Sequence, residues 1–410
     1  MSFTGGICPT PWRERGLSWG VEGAAFGEQI DSSGLPLGSH YGWEPPYGDR
    51  YPGKERGLAN LLPYYYTTQL EMAYMIQQYH RYFPDADLRP YAPFLQKSVD
   101  FFFNYYRMME RKRTGSDWDR AGKLVLDPSQ ALETYYGRNP TDVICALRVN
   151  LEGLLALPDT LVNGADKERY RGWLGRLPSV NFREREGHLT IAPVEGASGP
   201  IHNEEVPQLY PVFPYGLYGL GLPGLHIARD TWTYGLDPCL GAEPWTAPRP
   251  GDKPWNPERT LWYGWTQQGI WMARLGLTAE AKDYVSKKLD DARGNNDFDS
   301  SQRRRFPSFW GPGFDWTPDH NWGGSGMIAL QEMLLQTPGK RLLLLPTWPS
   351  EWNVDFKLHA PGGTVVECSY ADGKVVHVSV SPSDRTADLA DWHARRGNEV
   401  TSQSRTSTAR

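Results

Sequence analysis

The sequence predicts a mainly α protein, a ring or bundle of helical hairpins followed by a small antiparallel β-module. Apolar residues recur at helical spacing in pairs of segments from Tyr64 to about residue 337, with Pro or Gly at many of the breaks. After Gly339 the period changes to short β-rich runs separated by turn residues. The composition, 13% aromatic with 43 Gly and 34 Pro in 410 residues, excludes a disordered or coiled-coil chain.

Residues 1–60 show no sustained period and are crowded with Gly, Pro and Trp, which reads as an irregular loop-rich segment. From Tyr64, YYYTTQLEMAYMIQQYHRYF carries apolar and aromatic residues at helical spacing and stops at Pro84. Leu88 to Lys112 continues as a second helix, so the two form a hairpin about FPDAD. Further helices are expected at about 140–157, 167–177, 206–220, 224–234, 258–276, 278–292 and 322–337. No exact repeat accompanies them, which favours an irregular toroid over a regular solenoid. The toroid domain is assigned to 61–338. RLLLLP, VDFKLHA, GTVVECSY and KVVHVSVS, with PGG and ADGK as turns, make the β-module of residues 339–383. Residues 384–410 lose apolar periodicity and read as a disordered tail.

The net charge of −5, without blocks of like charge, argues against a nucleic-acid partner held by phosphate contacts. No stretch approaches the length of a membrane span, and Met1 to Pro11 has neither the basic region nor the apolar core of a signal peptide. Cys8, Cys145, Cys239 and Cys368 lack CxxC or metal-ligand spacing, so no metal or other cofactor is expected.

Loops of a rigid helical scaffold are where catalytic groups usually sit, and here the loops place Trp and Tyr beside carboxylates. Sugars match that pairing, because their C–H faces lie on aromatic rings while their hydroxyls bond to Asp, Glu, Asn and His. Glu133, in LVLDPSQALETYYG, follows a Pro-Ser turn and precedes two tyrosines; apolar rings would raise its pKa as a general acid requires. An ordinary surface glutamate is the competing reading. Asp315 and Asp319 lie in the aromatic loop FWGPGFDWTPDHNW, where an aspartate could equally cap the following helix. His202-Asn203-Glu204-Glu205 precedes an aromatic run, where adjacent glutamates could simply favour a helix dipole. There is no GxSxG, HExxH or P-loop, and GLGLPGLH lacks the residues that would follow in a phosphate-binding loop.

Four segments resemble glycoside hydrolase family 95, the inverting α-L-fucosidases and α-L-galactosidases with an (α/α)6 catalytic domain. LVLDPSQALE looks like that family's L-V-x-x-P-S-x-S-P-E segment, which carries its general acid. FDWTPDHNWGGSGMIALQEMLLQ looks like its F-x-I-D-G-N-F-G-G-x-x-G-I-x-E-M-L-L-Q segment, and LYPVFP matches L-Y-G-L-Y-P. The run from Gly264-Trp265 to Arg274-Leu275 resembles its G-W…A-R-L helix. The likeness covers about Ala24 to Ser381 and is strongest to an uncharacterised bacterial branch. It implies a six-hairpin toroid, incomplete here, since about nine helices are legible where the family has twelve and its N-terminal β-domain has no counterpart.

The resemblance implies an inverting, exo-acting glycosidase for an α-linked, L-fucose- or L-galactose-like sugar of an oligo- or polysaccharide. Glu133 takes the general-acid position and Asp319 that of the aspartate that activates water. His202, Asn203, Glu204, Glu205, Trp265, Gln268, Asp315, Trp316, His320 and Asn321 are the expected sugar contacts. The family's paired asparagines have no counterpart here, and Asn203-Glu204-Glu205 replace its basic H-R-H stretch, which leaves the sugar open. The alternatives are a carbohydrate-binding protein or degenerate glycosidase and, third, an α/α-toroid polysaccharide lyase, against which the net negative charge argues.

Overall fold

The computed structural model describes residues 20–26, 64–196, 205–237, 266–289 and 321–391, and residues 1–19 and 392–410 lie outside it. They fall in two compact units, Met1–His80 with Asp85–Pro211 and Gly235–Ala242, and Arg81–Pro84 with Val212–Tyr234 and Glu243–Arg410.

The first unit begins with α1 (Thr68–Tyr82), whose last two residues group with the second unit, and α2 (Ala92–Thr114). α2 is the spine of this unit's core. Phe101, Phe102, Phe103, Tyr105 and Tyr106 are all buried, each side chain stabilising by roughly 1.5–3 kcal/mol through area removed from water. Pro93 in its first turn and Gly115 just past its end, left-handed with its N–H on Arg111 O (2.9 Å), fix its limits. Then come the short strands β1 (Gln130–Ala131) and β2 (Tyr135–Tyr136), followed by α3 (Thr141–Ala156) and α4 (Gly164–Arg176). Asn163 caps α4 by accepting from the Asp166 N–H. Trp173 of α4 stacks on Phe103, with ring centroids 4.3 Å apart. Gln77 of α1 donates to Asn150 of α3 (3.1 Å), and Asn150 donates in turn to Leu70 O (3.0 Å). A two-stranded hairpin follows, β3 (Phe182–Arg185) with β4 (His188–Ile191).

The helix expected over 206–220 does not form. A single 3-10 turn, Pro207–Leu209, is followed by irregular turns. Pro207, Pro211 and Pro214 remove N–H donors at intervals too short for a helix to propagate, and Gly216 and Gly219 take positive φ.

The second unit contains α5 (Leu225–Tyr234), α6 (Gln268–Leu275), α7 (Thr278–Leu289) and α8 (Asn321–Leu334). Arg274 of α6 pairs with Glu332 of α8 at 2.7 Å. α8 stops at Leu334, earlier than the sequence suggests, because β5 (Leu335–Gln336) pairs with β6 (Leu342–Leu344). β7 (Val354–Ala360), β8 (Thr364–Ala371) and β9 (Lys374–Ser381) form an antiparallel meander. Asp372 and Gly373, both at positive φ, make the two-residue turn between β8 and β9 that the ADGK signal predicts. Two corrections apply to the expected β-module. The RLLLLP run is not part of this meander but lies in a mixed sheet, β10–β6–β5. Residues 384–391 of the expected tail are not structureless, since Ser383–Asp388 form a 3-10 helix and β10 (Leu389–Asp391) pairs in parallel with β6, and the rest of that tail lies outside the described residues.

Residues 20–26 seat against the first unit through Ala24 N–H to Lys97 O (2.8 Å) and Phe26 N–H to the Gln69 amide oxygen (3.1 Å). Gly23 permits this approach: a Cβ there would stand 2.3 Å from Phe101 Cα, backbone that cannot move aside. Gly23→Ala should therefore lower stability by about 1–3 kcal/mol, read as a reduced urea midpoint. An unchanged midpoint would show that the segment is not seated on α2.

Candidate functional site

Glu133 stands at the apex of the β1–β2 hairpin, and the surrounding sequence explains why the chain turns there. Leu126 N–H bonds to the Asn139 side chain and Asn139 N–H bonds back to Leu126 O, both at 2.9 Å, closing the base of the loop. Gly137 N–H donates to Ser129 O (3.0 Å), and Ser129 Oγ receives the Tyr106 hydroxyl of α2 (3.0 Å). Gly137 has no side chain because Val194 Cγ2 lies 2.7 Å from where a Cβ would be. In the ladder Ala131 faces Tyr135, and Leu132, Glu133 and Thr134 make the three-residue turn. Leu132 takes a left-handed φ of 46°, and its buried side chain packs with Tyr65 and Tyr210. Thr134 reinforces the turn by donating both its N–H (3.2 Å) and its hydroxyl (3.0 Å) to Ala131 O.

Two contacts from the segment 205–209 fix the hairpin further. The Glu133 N–H donates to Glu205 Oε2 at 2.7 Å, tying the apex to a residue 72 positions away. Gln208 Nε2 donates to the Tyr135 hydroxyl at 3.0 Å, and that hydroxyl donates to Asp237 Oδ2 at 2.7 Å. Asp237 is buried and paired with Arg183 and Arg185, each at 2.6 Å.

The apex faces a different electrostatic setting. Glu205 is half-buried yet surrounded by protein, and burial first, then the charges of Glu133, Glu71 and Asp142, push its carboxyl up to about 8 against the relief of the Glu133 N–H. Glu71, on the first turn of α1, is pushed up to about 7 by burial. Asp142, in the first turn of α3 and 1% exposed, is pushed up to about 8 by burial, with Glu71 adding to the shift. Neither of its oxygens has a well-aligned donor, and the nearby amides of Val143 and Leu132 offset burial only in part. The position at a helix N-terminus favours a carboxylate, but a burial cost of several kcal/mol exceeds the ~1 kcal/mol of that effect. The Tyr65 hydroxyl is held well above the usual phenol range by burial and by Glu71 and Glu205. Among the described residues no basic side chain pairs with Glu71, Asp142 or Glu205. Nor do three or more His, Cys, Asp or Glu among them form a metal-binding group. No described helix is long and apolar enough to cross a membrane.

Of the expected site residues, Glu133 and Glu205 meet in the first unit, while Gln268 opens α6 in the second, its Oε1 buried without a donor. His202, Asn203, Glu204, Trp265, Asp315, Trp316, Asp319 and His320 lie outside the described residues, as does the side chain of Asn321. Glu71, Asp142 and Tyr65 join the site without having been expected. Glu71 sits in an ordinary amphipathic helix, and Asp142 follows Asn-Pro-Thr, where an acid reads as a helix-start residue.

No family model matches the chain, and no curated protein matches it by sequence. A solved structure of a protein provisionally assigned as a kojibiose phosphorylase, from the human microbiome, is similar to it. Their TM-score is 0.53 at 10% identity, over 90% of this chain and 51% of the other, so this chain spans about half the length of that protein. The likeness is one of fold alone and does not single out family 95.

The three raised carboxyls set a pH dependence. Their folded values of about 7 to 8 lie above the ordinary 3.8 to 4.5, so the folded state holds more protons than the unfolded state between about pH 4.5 and 8. Stability contributed by the protonated groups is complete below that window and is lost as pH rises through it, at up to ~1.4 kcal/mol per pH unit for each group. Asp142→Asn should flatten the fall between pH 5 and 8 and leave the protein more stable than wild type at pH 8, measured by urea unfolding. Equal slopes in the two proteins would contradict the uncompensated burial of Asp142.

Proposed function

We propose that the chain acts on a carbohydrate at a glycosidic bond, with Glu133 as the proton donor to the leaving oxygen. The observation that carries this is the placement of Glu133 at the apex of a clamped hairpin, beside carboxyls that retain protons near neutral pH. The fold likeness to a carbohydrate-active enzyme supports the same class. In the finer form of the reading, the bond is to an α-linked, fucose- or galactose-like sugar at a chain end, and it is cleaved with inversion. Glu133 transfers its proton to the leaving oxygen as the C–O bond breaks, while Asp319 takes a proton from the water that attacks the opposite face of the ring. An inverting pair of this kind stands ~6.5–9.5 Å apart, which leaves room for the water.

A second reading replaces water by inorganic phosphate and is favoured by the assignment of the structural neighbour as a phosphorylase. Phosphate attacks without needing a base, so Glu133 would keep its role and Asp319 would lose its own. An assay of kojibiose and of aryl α-L-fucosides, galactosides, arabinosides and rhamnosides, with and without phosphate, separates the two by whether product forms as free sugar or sugar phosphate. Turnover of the best substrate should fall about 10²–10⁴-fold in Glu133→Gln. The fall should be smaller for a nitrophenyl glycoside, whose leaving group needs little protonation. Unchanged turnover of an unactivated substrate would remove Glu133 from the acid role.

A further inference from the structure

We infer that Glu205 is a positioning residue, which holds the apex amide of Glu133, rather than a sugar contact. This deepens the proposed acid role of Glu133 and rests on it. First, Glu205 Oε2 receives the Glu133 N–H at 2.7 Å, and the apex residue before it, Leu132, is held at a φ of 46° that a leucine seldom adopts. A turn of that kind persists only where its surroundings over-determine it. Second, Glu205 is itself anchored: Pro207, Gln208 and Leu209 are buried in the following 3-10 turn, and Gln208 grips the Tyr135 hydroxyl on the hairpin arm. The segment 205–209 therefore stitches the hairpin at its apex and at one arm, and the Glu133 side chain leaves the backbone between these two fixed points.

Among the described residues, ionisation of Glu205 is opposed by burial and by Glu133 on the hairpin, Glu71 on α1 and Asp142 on α3, while Tyr65, with its own hydroxyl disfavoured as an anion, adds no positive charge. Carboxyls placed in this way lose protons as a set, with apparent midpoints that belong to the group.

Glu205→Gln and Glu205→Ala test this through readouts that a sugar contact would not give. Glutamine retains an acceptor for the Glu133 N–H. Its turnover should stay within about threefold of wild type. Alanine removes the tie, so kcat should fall about 10²-fold with KM little changed. A raised KM at unchanged kcat in the alanine variant would overturn the proposal and return Glu205 to sugar binding, as would wild-type kinetics in both variants. The Glu133 backbone amide supplies a readout independent of turnover. Its nitrogen and proton shifts should titrate with a midpoint of about 8 in the full chain and lose that titration in Glu205→Ala. If Glu133→Gln is fully active while the amide still titrates, the acid role falls and the tie stands. If the amide does not titrate, the positioning proposal falls whatever the kinetics.

Discussion

Three carboxyl groups, Glu71, Asp142 and Glu205, are enclosed around one hairpin apex, and no described lysine or arginine neutralises them. The rest of the site follows from that constraint. Charges crowded in a poorly solvated space cannot all be present at once, so the set retains protons to higher pH than any of its members would in water. Asp237, which accepts a bond from Tyr135 of the same hairpin, differs. That carboxylate is equally enclosed but is met by Arg183, Arg185 and the Tyr135 hydroxyl, which makes it a structural anchor. One arm of the hairpin is therefore held by an ion-paired carboxylate, and the apex lies beside carboxyls that no described basic side chain pairs with. Buried carboxyls without a charged partner destabilise by several kcal/mol at neutral pH.

The scaffold makes this cost tolerable. Aromatic side chains of α2 fill the core of the first unit, and Tyr106 reaches from that helix to Ser129 at the hairpin's base. Asn139, Gly137 and Thr134 close the loop by bonds that leave little freedom at the apex. α3 starts immediately after the hairpin and brings Asp142 beneath it, so the short run from Leu126 to Asp142 supplies the loop, the acid candidate and one of its neighbours. Rigid support of this sort lets a single glutamate keep one orientation through a reaction.

Much of the scaffold was legible in the sequence because helical periodicity is a local property. The helices at 68–82, 92–114, 141–156, 164–176 and 225–234 lie where the apolar spacing and the Pro and Gly breaks put them. The expected helix at 206–220 failed because aromatic and apolar residues at helical spacing there fill a Pro-rich irregular turn, and spacing alone does not register missing N–H donors. The pairing of β10 with β6 joins residues about 47 positions apart, which no local pattern encodes. At the site, Glu133 was readable from its Pro-Ser turn and flanking tyrosines, and Glu205 from its acidic pair. Glu71 and Asp142 were not, because their significance lies in burial and mutual proximity, and each alone reads as an ordinary first-turn acid of a helix.

The measurement that bears most directly on the shared protons is a carboxyl-carbon NMR titration of the full chain, with Glu and Asp labelled and Glu71, Asp142 and Glu205 assigned by single substitutions. Midpoints of about 7 for Glu71 and about 8 for Asp142 and Glu205 are expected, with biphasic curves for Glu205 that change when Glu133 is replaced by Gln. Independent, single-step titrations near the ordinary 3.8 to 4.5 would contradict the shared-proton site.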